Sequence, residues 1–143
     1  MERQLRLLII EDSENDALLL LRELRKSNWS ITSERVCTAE DMRSCLKKQI
    51  WDVIVCDYVM PNFSCLQALK VLKEAGLDIP FILVSGQITD DQAVAAMKAG
   101  AIAYVLKGSS STDLLQAIQD AIVGKHYLSS TLSERASVII FKR

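Results

Sequence analysis

The sequence is poor in residues that interrupt or stiffen a chain, with five glycines and two prolines in 143 positions. That scarcity excludes collagen-like, linker-like and disordered architectures, which need such residues in quantity. Histidine occurs once, at His126, and the four cysteines (Cys37, Cys45, Cys56 and Cys65) form no C-x-x-C pair. A zinc site needs grouped thiolate or imidazole ligands, and a secreted disulfide scaffold carries denser cysteine. The thiols are therefore expected to be reduced and mostly buried. No apolar run approaches the roughly 18 residues of a membrane span. The first run breaks at Glu11 and Asp12, too early for a signal peptide, so a cytoplasmic, soluble protein with no membrane contact is expected. Neither charge dominates: 17 basic and 18 acidic side chains give a formal net charge of −1. Without an excess of Lys and Arg, direct nucleic-acid binding is not expected.

What is present is one domain's worth of chain, half of it hydrophobic, long enough to hold a core without metal or disulfides. Short apolar runs alternate with longer amphipathic stretches. The runs are LRLLII (5–10), ITSERV (31–36), DVIVCD (52–57), PFILVS (80–85) and IAYVLK (102–107). The third and fourth are almost continuously apolar, as strands covered on both faces must be. ITSERV is more polar and reads as an edge strand. Each run is followed by a hydroxyl three residues ahead of an acceptor: Ser13 and Asp16, Thr38 and Asp41, Ser64 and Gln67, Thr89 and Gln92, Ser110 and Asp113. That spacing caps orphan amides at a helix start, with Asp a weaker partner than Gln. Gly76, Gly100 and Gly124 stand where helices should end in a left-handed residue. Five strand–helix units in strict alternation predict an α/β fold, a parallel sheet with helices on both faces.

In such a sheet, ligands bind beyond the C-terminal ends of the strands. Those ends carry Glu11 and Asp12 after the first strand, Asp57 on the third, Ser85 on the fourth and Lys107 on the fifth. Carboxylates converging on one crevice raise each other's pKa unless a cation joins them. Mg²⁺ suits one or two carboxylates, waters and a phosphate oxygen. A carboxylate nucleophile, a metal, an ammonium and a hydroxyl are together the parts that position a phosphoryl group in transfer. Singly each signal is weak, since Asp12 also suits a turn and a strand-end Lys is usually solvated. The set at corresponding strand ends is strong.

The strings LLIIEDSEND, VIVCDYVMPNFSCLQAL, IPFILVSG and AVAAMKAGAIAYVLKG, lying in order within residues 5–124, resemble the receiver domain of two-component response regulators. The resemblance implies a flavodoxin-like, doubly wound five-stranded sheet of order 2-1-3-4-5. It further implies a response regulator in a phosphorelay, catalysing only its own phosphorylation and dephosphorylation. Asp57 matches the phosphoacceptor. Glu11 and Asp12 match the acidic pair that holds Mg²⁺ with Asp57, the backbone carbonyl of Val59 completing the ligands. Lys107 matches the lysine that meets the phosphoryl oxygens, Ser85 the switch hydroxyl and Tyr104 the aromatic that turns inward with it. The Val59 and Gln87 side chains occupy positions that tune the site. The chain departs from the family at Gly108, where most members carry proline after the lysine. Expected partners are a sensor histidine kinase or phosphotransfer protein, and an output domain or partner protein at the face of the fourth helix, fifth strand and fifth helix, with a homodimer also open.

Two rivals with similar folds fit less well. A haloacid-type phosphatase wants a second Asp two residues after the first, where Val59 stands, and EDSEND would repel the phosphate of a flavin. A receiver-like module that binds partners without taking phosphate remains the alternative. The receiver is expected to span residues 1–124, with 125–143 a tail or a linker to an absent output domain. Up to Gly124 there are 13 basic and 17 acidic residues, while the last 19 carry four and one. An acidic body thus precedes a short basic, partly apolar tail.

Overall fold

Hydroxyl side chains start the helices where the spacing requires it. In the computed structural model, which describes residues 3–86, 89–107, 111–124 and 127–128, Ser13, Thr38, Ser64 and Thr89 each accept a hydrogen bond from the backbone N–H three residues on. Only where that third residue is glutamine does its side chain also reach back, making full capping boxes at Ser64–Gln67 and Thr89–Gln92. The shorter Asp16 and Asp41 side chains make no such return bond. The expected cap Ser110 lies outside the described residues. Gly76, Gly100 and Gly124 take φ of 71°, 126° and 82°, the conformation in which a side chain would be strained.

The elements follow as β1 (Arg3–Ile10), α1 (Glu14–Leu24), β2 (Trp29–Val36), α2 (Ala39–Lys48), β3 (Val53–Asp57), α3 (Cys65–Glu74), β4 (Phe81–Ser85), α4 (Asp90–Lys98), β5 (Ala103–Leu106), α5 (Ser111–Ile122) and β6 (Tyr127–Leu128). All pairings are parallel, in the order β2-β1-β3-β4-β5-β6. The five expected strands thus lie in the expected order, with ITSERV inside the edge strand β2. The sixth strand falls beyond Gly124, in the segment expected to be tail, and pairs Tyr127 with Ala103 and Leu128 with Tyr104.

The strand alternation divides the core. Leu8, Ile10, Ile54, Cys56, Phe81, Leu83 and Tyr104 pack with residues of α2, α3 and α4. Leu5, Leu7, Ile9, Val53, Val55, Ile82, Val84, Ala103 and Val105 pack with α1 and α5. Successive side chains leave opposite faces of a strand, so β3 and β4 need apolar residues throughout; all five positions of each are buried. Cys45, Cys56 and Cys65 are buried free thiols and Cys37 is half-buried. Among the described residues no helix is long and apolar enough to cross a membrane.

Candidate functional site

The same alternation sorts the polar residues at the strand ends. Glu11, Asp57 and Lys107 continue the register of Ile9, Val55 and Val105, the side of the sheet covered by α1 and α5. Ser85 continues that of Leu83, on the side of α2–α4. The charged groups therefore gather beside α1, and the hydroxyl lies behind them.

Oxygen atoms of Glu11, Asp12 and Asp57 lie within 4.8 Å of one another. Glu11 is 4% exposed and Asp57 9%, whereas Asp12 faces solvent. The Asp57 carboxylate accepts a hydrogen bond from the Val59 N–H at 3.3 Å, and the Val59 side chain stands at the rim, 66% exposed. Lys107 Nζ spans the group. It lies 2.6 Å from Asp16 Oδ2, 3.3 Å from Glu11 Oε1 and 3.5 Å from Asp57 Oδ2. Asp12, Asp16, Asp57, Val59, Gly86 and Lys107 line an open depression of about 580 Å³. A second, more apolar cavity of about 530 Å³ runs beneath it between α1, α5 and the sheet.

Three carboxylates meet one ammonium, and burial together with that imbalance sets the pKa shifts at Glu11, Lys107 and Asp16. Burial, with the Asp57 carboxylate beside it, pushes the Glu11 carboxyl up to about 8 against the pull of Lys107. Burial alone would lower Lys107, but the hydrogen bond to Asp16 and the fields of Asp57 and Glu11 raise it overall. Asp16 is lowered by its hydrogen bond to Lys107. Glu11 Oε2 is buried with no hydrogen-bond partner, a costly arrangement for a carboxylate oxygen. An orphaned oxygen, an acidic cluster and excess negative charge together fit a hard divalent cation with oxygen ligands.

Ser85 is fully buried and does not line the depression. Its backbone carbonyl accepts from the Lys107 N–H at 2.7 Å and from the Tyr104 hydroxyl at 3.4 Å. The Tyr104 ring lies inward, 1% exposed. The structure thus brings Glu11, Asp12, Asp57 and Lys107 together, with Val59 at the edge and Ser85 and Tyr104 stacked behind. Gln87 and Gly108 lie outside the described residues. The residue that sequence reasoning missed is Asp16, read there only as a capping partner. Its signal was available: strand parity sends Lys107 to the α1 side, where the first turn of α1 carries this carboxylate.

Residues 7–119 match the sequence profile of the response regulator receiver domain. Among curated proteins, the chain is 26% identical over 132 residues to the sensory/regulatory protein RpfC of Xanthomonas campestris, covering 90% of this chain and 18% of that protein. It is 29% identical over 91 residues to the response regulator GacA of Pseudomonas aeruginosa, covering 64% of this chain and 42% of that one. The chain thus spans less than half the length of these relatives. Among solved structures, FixJ-N gives a TM-score of 0.74 at 27% identity, covering 84% of this chain and 94% of that one. The receiver domain of the Escherichia coli stress response regulator RcsB gives 0.77 at 18% identity, covering 90% of this chain and all of that one, a likeness of fold.

Proposed function

The chain belongs to the response regulator receiver domain family, and from that membership we propose that Asp57 is the phosphoacceptor of a phosphorelay. The observation that carries this reading is the strand-end cluster itself: a nearly buried Asp57 with two further acidic residues within 4.8 Å and an ammonium 3.5 Å away. In the proposed step an Asp57 carboxylate oxygen attacks the phosphorus held on a donor histidine. A P–O bond forms as the P–N bond breaks, and the imidazole leaves with the bonding electrons. The new group is an acyl phosphate that water later hydrolyses.

Glu11, Asp12 and Asp57, with the Val59 carbonyl, are the residues that would hold Mg²⁺. Bound there, the ion would neutralise phosphoryl charge. Lys107 offers a second, mobile positive charge to the same oxygens. Ser85 and Tyr104, already in contact through the Ser85 carbonyl, form the pair through which the new anion would bias the loop after β4 and the ring on β5. Val59 and Gln87 would tune how long the phosphoryl group lasts.

The partner that supplies phosphoryl is a sensor histidine kinase or a phosphotransfer protein, and the cytoplasm is the compartment proposed. The receptive surface for an output domain, partner or second copy is the α4–β5–α5 face, of which β6 covers the β5 edge. The receiver proper is residues 1–124, with residues 125–143 a tail or a linker towards an output domain.

Intact-mass spectrometry after incubation with a small phosphodonor and Mg²⁺ tests the reading. Wild type should gain one phosphoryl group and Asp57→Ala none. No gain on wild type, or an equal gain on the variant, would overturn it.

A further inference from the structure

Lys107 does not sit where the deepest negative charge is. The Glu11 and Asp57 side chains are 6% and 11% exposed, and Asp16 is 37% exposed. Coulomb attraction to Asp57 strengthens as water is excluded, while the loss of water around the ammonium opposes its moving inward. The shortest contact of the ammonium is the outermost one, 2.6 Å to Asp16 against 3.5 Å to Asp57.

Asp16 can act as a fixed anchor because its backbone is held. It lies in the first turn of α1, its N–H donating to the capping Ser13 Oγ at 3.2 Å. A carboxylate is also favoured at that end of a helix. Lys107 stands just past the end of β5 on a long side chain, part of which is in solvent. Among the ion pairs of the described residues, Lys107 is the sole partner of Asp16.

We propose that Asp16 is a positioning residue that keeps the Lys107 ammonium at 3.5 Å from Asp57 Oδ2 rather than in a shorter contact, so that the Asp57 carboxylate stays available to a cation and to an incoming phosphoryl group. This deepens the reading of Asp57 as phosphoacceptor and rests on it. An ammonium seated directly on Asp57 would occupy its lone pairs, repel a divalent ion and weaken the nucleophile. Held by Asp16, the same charge stays within reach of a phosphoryl oxygen without quenching the group that must attack.

The first test needs neither metal nor phosphodonor. In a crystal structure of Asp16→Asn grown without divalent ions, Lys107 Nζ should close to about 3 Å or less from an Asp57 oxygen, the length of a charge-assisted hydrogen bond. A separation unchanged from wild type overturns the proposal.

The second is a double-mutant cycle read by calorimetric Mg²⁺ titration. Asp16→Asn should weaken Mg²⁺ binding roughly three- to tenfold, and by less than about twofold when Lys107 is already Gln, the difference being their coupling. Glu14→Gln removes a neighbouring charge that does not touch Lys107 and should leave the affinity near wild type. Equal losses with and without Lys107 would make Asp16 a mere source of charge and overturn the proposal. At saturating Mg²⁺, Asp16→Asn should also accept phosphoryl several-fold more slowly than wild type, with Asp16→Glu restoring most of the rate. Absence of any Mg²⁺ binding or phosphoryl gain by wild type would instead count against the phosphoacceptor reading, while the crystal structure still decides where Asp16 sends Lys107.

Discussion

Among the described residues, Lys107 pairs with three carboxylates, Glu11, Asp16 and Asp57, and most of what distinguishes this site comes from how they share it. The strand-end residues Glu11, Asp12, Asp57 and Lys107 were legible in the sequence because each interrupts or ends an apolar run at a place where the fold presents residues to a ligand. Asp16 was not, because its local role as a capping partner already accounted for it, and the ammonium it binds lies 91 residues away. Val59 was singled out through the family resemblance alone, and the structure puts its side chain at the rim, 66% exposed. An apolar group at the rim cannot orient an attacking water, so Val59→Asn should shorten the lifetime of the acyl phosphate several-fold. Measured dephosphorylation rates equal to wild type would reject that role. Far from the site, Asp52 accepts from the Arg6 backbone N–H at 2.7 Å and from its guanidinium at 3.1 and 3.2 Å. Burial opposes the Asp52 charge, but the bonds and charge of Arg6 prevail and hold the carboxyl below its ordinary value. A depressed carboxyl stabilises the fold above its unfolded pKa, and that contribution is lost as pH falls through the folded value. Asp52→Asn should therefore melt lower than wild type at pH 7, with the gap closing as pH drops through the carboxylate range. A gap independent of pH would contradict this.

At the scale of elements, local chemistry explains the helix boundaries in detail. Ser64 and Gln67 exchange two hydrogen bonds, at 2.8 and 3.1 Å, satisfying amides that the α3 backbone leaves open. Ser64→Ala should cost about 1 kcal/mol of stability in denaturant unfolding, the ordinary value of a cap; no loss would mean that water serves these amides equally well. The strands were legible for a related reason. A sheet covered on both faces leaves no room for alternation, so β3 and β4 read as apolar runs, while the polar pattern of β2 marked the edge. What period and composition could not reveal was the start of β2 at Trp29, ahead of the ITSERV run, or β6, whose two residues are too few to show any period.

Across the whole molecule, charge and sheet end in different places. The acidic body up to Gly124 gathers its surplus at the C-terminal edge of the sheet. The chain then adds one short parallel strand against β5, beside Tyr104. The parallel sheet and its two-sided core followed from the alternation of units, and the strand order from the family resemblance; the covering of the β5 edge followed from neither. A chain ending at Gly124 should keep its core and fold, because it retains β1 to β5 and every buried residue of both hydrophobic clusters among the described residues. Its amide hydrogen exchange should quicken in β5 and little elsewhere. Loss of cooperative folding on that truncation would make β6 part of the folding unit.

Every role proposed for these residues depends on Asp57 carrying phosphate, which chemical trapping reads at the residue itself. Wild-type protein treated with phosphodonor and Mg²⁺, then reduced with borohydride, should yield homoserine at position 57 in peptide mass spectra. Unmodified Asp57 alongside a phosphoryl-bearing intact protein, or reduction at Glu11, Asp12 or Asp16 instead, would contradict it.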